Sequence, residues 1–230
     1  MLKRETKKEF ALGLFLLTSL GIAVGALILF GWLAEQVLRG DTTQFDATIR
    51  TAVHNHATPL LTSIMHGFSF LGSVGWVASV CALVIAACIY FKRGRMAAFL
   101  AIAMVGASTL DSVLKLAFHR LRPVAYYGVS PRSYSFPSGH ALGSLCFYGI
   151  LAAVLSDRMT SRRQKFFIWL IAALLVASIG FSRIYLGVHY PSDVIAGYLA
   201  GAVWVTAVTI VDEILLDRRE KKINLTKILE

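Results

Sequence analysis

Two cations with helical spacing carry the first chemical signal in the sequence. Lys115 lies within a long apolar stretch, Arg122 follows seven residues later, and Pro123 comes next. Seven residues correspond to about two helical turns, so both side chains lie on one helix face. Because a lysine inside an apolar span is costly, it is usually kept for a function. The pair predicts an anion-binding site, whereas Arg120 and Arg132 are interpreted as cations that reach out to lipid headgroups.

A second signal is the tetrapeptide Pro137-Ser138-Gly139-His140, where the next apolar stretch begins. Proline is favoured at the first position of a helix, and the free N–H groups of a first helical turn attract anions. Ser138 adds a hydroxyl group, Gly139 lets an anion come close to the backbone, and His140 can hold or donate a proton. Taken alone, the tetrapeptide is weak evidence, because these residues are common where helices begin.

A third signal is a histidine and an aspartate around the start of the last apolar stretch. Ser182 and Arg183 come first, and His189 and Asp193 are four residues apart. The carboxylate can therefore reach one ring nitrogen across a helical turn. Such a hydrogen bond would hold the neutral tautomer and direct the other nitrogen outward as a nucleophile or base. The alternative for a single His–Asp pair is a structural hydrogen bond.

Composition indicates that these clusters belong to a membrane protein. Of the 230 residues, 57% are hydrophobic and only 16% are charged, and the mean hydropathy is +0.66. Soluble domains carry about 25% charged residues. A helix must be apolar over about 30 Å to cross a bilayer. The sequence predicts an all-α polytopic membrane protein with six transmembrane helices. The expected spans are residues 10–34, 73–91, 96–118, 138–156, 166–182 and 194–211.

The distribution of Lys and Arg predicts how these helices are oriented. Sixteen of the 23 lie in the N-terminal segment, in residues 92–95 and 158–165, and in the tail after residue 216. Because cytoplasmic segments carry the excess of positive charge, both termini are expected in the cytoplasm. The net charge of +10 is explained by these short basic blocks, so no nucleic-acid partner is expected. All three chemical clusters then fall at the outer ends of their helices.

Other segments yield structural expectations only. Residues 41–70 are mixed in polarity, and their apolar spacing predicts an amphipathic helix on the outer surface. Two GxxxG pairs predict close helix contacts, and three cysteines in apolar runs are expected to pack as free thiols. These residues are Gly21 with Gly25, Gly197 with Gly201, and Cys81, Cys88 and Cys146. No linker divides the sequence, so a single domain is expected over residues 1–230.

Considered together, the three clusters have the composition of a site for phosphoryl transfer. They supply three cations, one helix N-terminus, two histidines and a carboxylate that can orient one histidine. Phosphoryl transfer needs positive charge on the equatorial oxygens, an in-line nucleophile and an acid for the leaving oxygen. The clusters meet each of these requirements.

The same segments resemble the tripartite signature of the type 2 phosphatidic acid phosphatase (PAP2) family, which also includes acid phosphatases and vanadium haloperoxidases. Every signature position is matched, between residues 115 and 193, and the six-span layout resembles the membrane-bound lipid phosphatases of the family. The matching segments are Lys115-x6-Arg122-Pro123, Pro137-Ser138-Gly139-His140 and Ser182-Arg183-x5-His189-x3-Asp193.

This resemblance implies a role for each signature residue. His189 attacks phosphorus to form a phosphohistidine, and Asp193 orients it. His140 protonates the departing oxygen and can then activate the water that hydrolyses the intermediate. No metal ion or other cofactor is implied, since the cations replace the magnesium ion of many other phosphatases. The groups implied to bind the phosphoryl oxygens are Lys115, Arg122, Ser138, Gly139 and Arg183.

The expected function is that of an integral membrane phosphatase acting on a lipid phosphate or diphosphate at the outer face of a cytoplasmic membrane. Undecaprenyl diphosphate is favoured as the substrate, and phosphatidylglycerophosphate, phosphatidate and lipid A phosphates stay open. A phosphotransferase that passes the phosphoryl group to another acceptor is the nearest alternative. A haloperoxidase is disfavoured because those relatives are typically large and soluble. A non-enzymatic transporter or scaffold is disfavoured because no signature residue is substituted.

One expectation goes beyond the signature. Asp111 precedes Lys115 by four residues, which places both on the same face of one helix. An isolated carboxylate and an isolated ammonium are each costly at such depth, and pairing resolves both. Asp111 is therefore predicted to be the buried counterion of Lys115. The alternative is a hydrated carboxylate at the membrane interface with no partner.

Overall fold

Helices make up all the regular structure in the part of the chain that the structure describes. The computed structural model covers residues 2–128 and 131–229, with side chains described for residues 9–128 and 131–218. In chain order the helices are α1 (Leu2–Arg39), α2 (Thr43–Asn55), α3 (Pro59–Leu71), α4 (Val74–Tyr90), α5 (Gly94–Phe118), α6 (Gly139–Asp157), α7 (Arg162–Tyr185) and α8 (Pro191–Leu229).

Five of these helices are long and apolar enough to cross a membrane. They are α1, α5, α6, α7 and α8, and α3 with α4 forms a sixth span if the pair, bent by 46°, is counted as one. The prediction of an all-α polytopic membrane protein is confirmed. The second span differs from its prediction, because α4 has only 17 residues and reaches the length of a span only together with α3.

Residues 41–70 form two helices where the sequence suggested one. Pro59 is the first residue of α3, and Thr58 before it is extended, with φ −135° and ψ 156°. A residue that precedes proline is driven out of the helical region by the proline ring, so α2 has to end before this point. The Thr58 hydroxyl accepts a hydrogen bond from Leu61 N at 3.2 Å and caps the new helix.

Helix α6 is the central helix, and α8 packs closely against its first turns. A Cβ atom at Gly197 would lie 2.5 Å from Ser138 O, so only glycine permits this approach. The second GxxxG pair thus makes the predicted close contact, whereas a Cβ at Gly21 or Gly25 would meet nothing within 4 Å. Ser138 N also donates to Asp193 O at 2.9 Å. The beginnings of α6 and α8 are therefore held side by side.

An ion pair joins α5 and α8 near the other end of the bundle. Arg95 Nε donates to Asp212 Oδ1 at 3.1 Å, and a second guanidinium nitrogen lies 2.5 Å from Asp212 Oδ2. This pair tethers the start of α5 to the middle of α8 and is partly exposed to solvent.

Candidate active site

All three sequence clusters lie at one end of the bundle. Lys115 is in the last turn of α5, Arg183 is in the last turn of α7, and Asp193 is in the first turn of α8. His189 lies in the connection between α7 and α8. Helix α6 begins at Gly139. The sequence predicts that this helix begins at Pro137, two residues earlier. Antiparallel helices thus deliver residues that are far apart in sequence to one site.

The ring of His189 is held at both nitrogens. Its Nδ1 lies 3.3 Å from Asp193 Oδ2, and its Nε2 lies 2.9 Å from a guanidinium nitrogen of Arg122. A guanidinium can only donate hydrogen bonds, so Nε2 must be the acceptor. Nδ1 therefore carries the proton and donates it to the carboxylate. This is the tautomer that leaves Nε2 with a lone pair.

His189 is also buried, with 1% of its surface exposed. Burial lowers the pKa of His189 to about 4, and the hydrogen bond to Asp193 opposes part of that lowering. The ring is therefore neutral at pH 7, and Nε2 carries a lone pair and no proton, as a nucleophile requires.

Arg122 is fixed by several acceptors besides His189. Its Nε donates to Ser133 O at 2.7 Å, and its other nitrogens donate to Val188 O at 2.9 Å and Ser133 Oγ at 3.1 Å. Burial lowers the pKa of Arg122, while the negative charge of Asp193 opposes this. A guanidinium stays charged in proteins, so Arg122 keeps a positive charge directly beside the ring of His189.

Lys115 forms the ion pair with Asp111 that its spacing predicts. Lys115 Nζ lies 2.6 Å from Asp111 Oδ2, and both side chains are mostly buried. Asp111 Oδ1 is buried without a hydrogen-bond partner among the described residues. A Cβ at Gly139 would lie 2.8 and 2.9 Å from the two carboxylate oxygens. In this structure, the anion that comes close to Gly139 is the carboxylate of Asp111.

Two donors in the site are buried with no partner among the described side chains. They are the Ser138 hydroxyl and Arg183 Nε. Arg183 also donates through another guanidinium nitrogen to Ser69 Oγ of α3, which holds its side chain in place. An unsatisfied buried donor costs free energy unless a ligand or water supplies an acceptor. Both donors suit a bound anion.

His140 lies at the junction of α3 and α4. A Cβ at Gly72, in the bend between these helices, would lie 3.2 Å from His140 Cδ2. The charged groups of Arg183, Lys115 and Arg122 and the ring of His189 lie close enough to His140 to interact with it electrostatically. The two histidines and the three cations of the signature therefore share one site.

The sequence predicts that Arg120 reaches out to lipid headgroups, and the structure corrects this prediction. Its guanidinium lies 2.8 Å from Asp46 Oδ2 and 2.6 Å from Asp193 Oδ1, with only 16% of the side chain exposed. Asp46, which sequence reasoning did not single out, is 1% exposed. Because these carboxylates are buried beside Arg120, solvent and salt screen their charges less than they screen an exposed headgroup. The one available signal was that residues 41–70 contain only two carboxylates, Asp41 and Asp46.

Comparison with known proteins gives consistent matches. A model described as the PAP2 superfamily matches residues 94–214. Phosphatidylglycerophosphatase B of Bacillus subtilis is 29% identical over 200 residues, which cover 86% of this chain and 98% of that protein. Undecaprenyl-diphosphatase of Sulfolobus acidocaldarius is 36% identical over 127 residues, which cover 52% of this chain and 57% of that protein.

A solved structure matches over most of its length. The crystal structure of a transmembrane PAP2 type phosphatidylglycerolphosphate phosphatase from Bacillus subtilis superposes with a TM-score of 0.77 at 26% identity. The match covers 83% of this chain and 96% of that one.

Proposed function

Because the chain belongs to the PAP2 superfamily, we propose that it hydrolyses the terminal phosphate of a membrane lipid phosphate or diphosphate. The observation that carries this proposal is the neutral, buried ring of His189, held by Asp193 with its Nε2 lone pair facing the cations of the site. An unprotonated nucleophile that lies beside several cations is suited to attack the phosphorus atom of an anionic phosphate.

The proposed reaction has two steps. In the first, His189 Nε2 forms a bond to phosphorus while the bond from phosphorus to the leaving oxygen breaks, and His140 gives that oxygen a proton. In the second, His140 takes a proton from water as the water oxygen attacks phosphorus. The N–P bond breaks, inorganic phosphate leaves, and His189 regains its lone pair. The enzyme ends each cycle in its starting state.

The surrounding donors supply the binding site for the phosphoryl oxygens. Lys115, Arg122 and Arg183 balance the charge, and the unsatisfied Ser138 hydroxyl and Arg183 Nε gain acceptors when phosphate binds. Arg122 exchanges its contact with His189 Nε2 for one with a phosphoryl oxygen, which frees the lone pair. The Gly139 backbone N–H completes the set at the start of α6.

Undecaprenyl diphosphate is the favoured substrate within this proposal. The relatives above are named for different lipid phosphates, so the headgroup pocket alone does not select among them. The excess of Lys and Arg in one set of segments supports cytoplasmic termini and a site at the outer face of a cytoplasmic membrane. Recycling of a polyprenyl carrier would take place at that face.

Phosphate release by detergent-purified protein tests the proposal. The panel contains undecaprenyl diphosphate, phosphatidylglycerophosphate, phosphatidate and a lipid A phosphate, with excess chelator and without an added acceptor. We expect phosphate release from at least one lipid, inhibition by orthovanadate as a transition-state mimic, and none from a folded His189→Asn variant.

Other outcomes would contradict parts of the proposal. Substantial turnover by His189→Asn would reject the covalent mechanism. Loss of activity in chelator that magnesium restores would reject the role given to the three cations. Transfer of the phosphoryl group only when an acceptor alcohol is added would identify a phosphotransferase.

A further inference from the structure

A chain of buried charges extends from the nucleophile to α2. His189 Nδ1 contacts Asp193, whose other oxygen lies 2.6 Å from Arg120, and Arg120 lies 2.8 Å from Asp46. Asp193 and Asp46 are 0% and 1% exposed. Neither Arg120 nor Asp46 belongs to the signature. Arg120 and Asp46 have no step in the proposed reaction, yet both lie in the chain of contacts that holds its nucleophile.

Arg120 determines which oxygen of Asp193 is available to the ring. Its guanidinium takes Oδ1, which leaves Oδ2 for His189 Nδ1 at 3.3 Å and for Tyr190 N at 2.9 Å. A carboxylate free to rotate could exchange its oxygens and tilt the ring with them. With one oxygen held by a charged donor, that rotation is blocked.

Asp46 holds Arg120 and also ties α2 to the first turn of α8. Its Oδ2 accepts hydrogen bonds from Arg120 and, at 2.7 Å, from the hydroxyl of Ser192, and its Oδ1 accepts from Ser192 N at 2.9 Å. The ring of Tyr190 lies 4.2 Å from the Arg120 guanidinium and covers it. Asp46 balances the cation and fixes it over the beginning of α8.

We propose that Arg120, held by Asp46, is a positioning residue for the nucleophile: by fixing the Asp193 carboxylate, it aims His189 Nε2 at phosphorus. This inference rests on the proposed function. The described hydrogen bonds of Arg120 go to Asp193, Ser192, Asp46 and Thr42, so it acts on the ring through Asp193. Its loss should therefore slow the chemical step and leave substrate binding largely unchanged.

Kinetics of Arg120 variants test this assignment on the lipid that the parent hydrolyses best. Arg120→Lys keeps a positive charge but has one ammonium group where arginine has a fork that bridges two carboxylates. We expect kcat to fall about 10–100-fold, as for the loss of other groups that orient a reactive side chain, with KM within about twofold of the parent.

A double variant separates positioning from simple charge pairing. In the Asp46→Asn/Arg120→Gln protein, position 46 no longer carries a buried charge that lacks its partner. Asp193 loses Arg120 just as it does in Arg120→Gln alone. If Arg120 only balances Asp46, this variant recovers the parental kcat. If Arg120 positions Asp193, kcat stays about 10–100-fold low, although the thermal unfolding midpoint lies closer to the parent than that of Arg120→Gln alone.

Arg95→Gln is the matched control, since it removes another arginine–carboxylate pair between the helices of the bundle. We expect parental kcat and KM from it. Parental kcat in Arg120→Lys or in the double variant overturns the inference and leaves the proposed function intact. A KM increase with unchanged kcat also overturns it, because Arg120 would then bind substrate. A parent that releases no phosphate from any lipid overturns the proposed function itself.

Discussion

At the residue scale, His189 can act as a nucleophile only while its Nε2 lone pair is free of a proton. Burial lowers the pKa of His189 to about 4, whereas an unperturbed histidine titrates at about 6.5. Because the lowered pKa favours the neutral ring, His189 of the folded protein gains a proton only as the pH falls through about 4. The nucleophile therefore stays competent across the mildly acidic range.

Nitrogen NMR of the histidine rings checks this expectation. In detergent-solubilised protein labelled with ¹⁵N-histidine, the signals lost in His189→Gln identify the ring. We expect those signals at pH 5 to report a neutral ring protonated at Nδ1. A charged ring at pH 5, with both nitrogens protonated, would contradict the effect of burial derived from the structure.

Asp111 offers a second test at the same scale. Replacing it with asparagine removes the counterion that holds Lys115 Nζ at 2.6 Å, so the ammonium loses its aim toward the phosphate. We expect activity to fall about 10–100-fold. With Lys115 already replaced by methionine, Asp111→Asn should cost little further activity because the two residues act as a unit. Wild-type turnover in Asp111→Asn, or two losses that multiply, would reject a functional role for the pair.

Spacing along one helix predicted this pair, but it could not reveal the partners of Arg120. Asp111 and Lys115 are four residues apart and need only a helix to meet. Asp46 and Arg120 are 74 residues apart, and their contact depends on how α2 lies against the first turn of α8. Local periodicity holds no information on such a contact, so the sequence predicts only a surface cation at Arg120.

At the scale of elements, the start of α6 depends on the absence of a side chain at Gly139. A Cβ there would press against the carboxylate of Asp111 at 2.8 Å. We expect Gly139→Ala to displace Asp111 or the first turn of α6 and to lower phosphate release about 10–100-fold, because small misplacements in a site are costly to catalysis.

Gly143, one turn further along the same helix, provides the control. A Cβ at Gly143 would meet nothing within 4 Å, so Gly143→Ala should keep parental activity. Equal activity in both alanine variants would show that the close approach of Asp111 to Gly139 is not needed.

The sequence predicted the positions of the helices more accurately than it predicted the connections between them. Long apolar runs need internal hydrogen bonds in lipid, so each expected span overlaps a helix of the structure. The segment before the second span was harder because its amphipathic periodicity continues across Pro59. The backbone restriction imposed by that proline, and the 46° bend between α3 and α4, outweigh the periodicity.

At the scale of the whole molecule, the proposed orientation makes the two ends of the bundle chemically distinct to a reagent outside the cell. We expect Arg132→Cys, in the exposed connection between α5 and α6, to react with a membrane-impermeant maleimide in intact cells. Arg163→Cys, at the start of α7, should react only after the cells are permeabilised. Both variants are made in a protein whose native cysteines are replaced. The reverse pattern would place the site in the cytoplasm.

The position of Asp46 in the chain also bears on biosynthesis. A protein is made from its N-terminus, so Asp46 precedes Arg120 by 74 residues, whereas Asp193 follows it by 73. When Arg120 leaves the ribosome, one of its two carboxylates has already been made and the other has not. The contact with α2 can give this cation a counterion before α6, α7 and α8 have been made. His189 and Asp193 are made last, and they join an Arg120 whose charge Asp46 already balances in part.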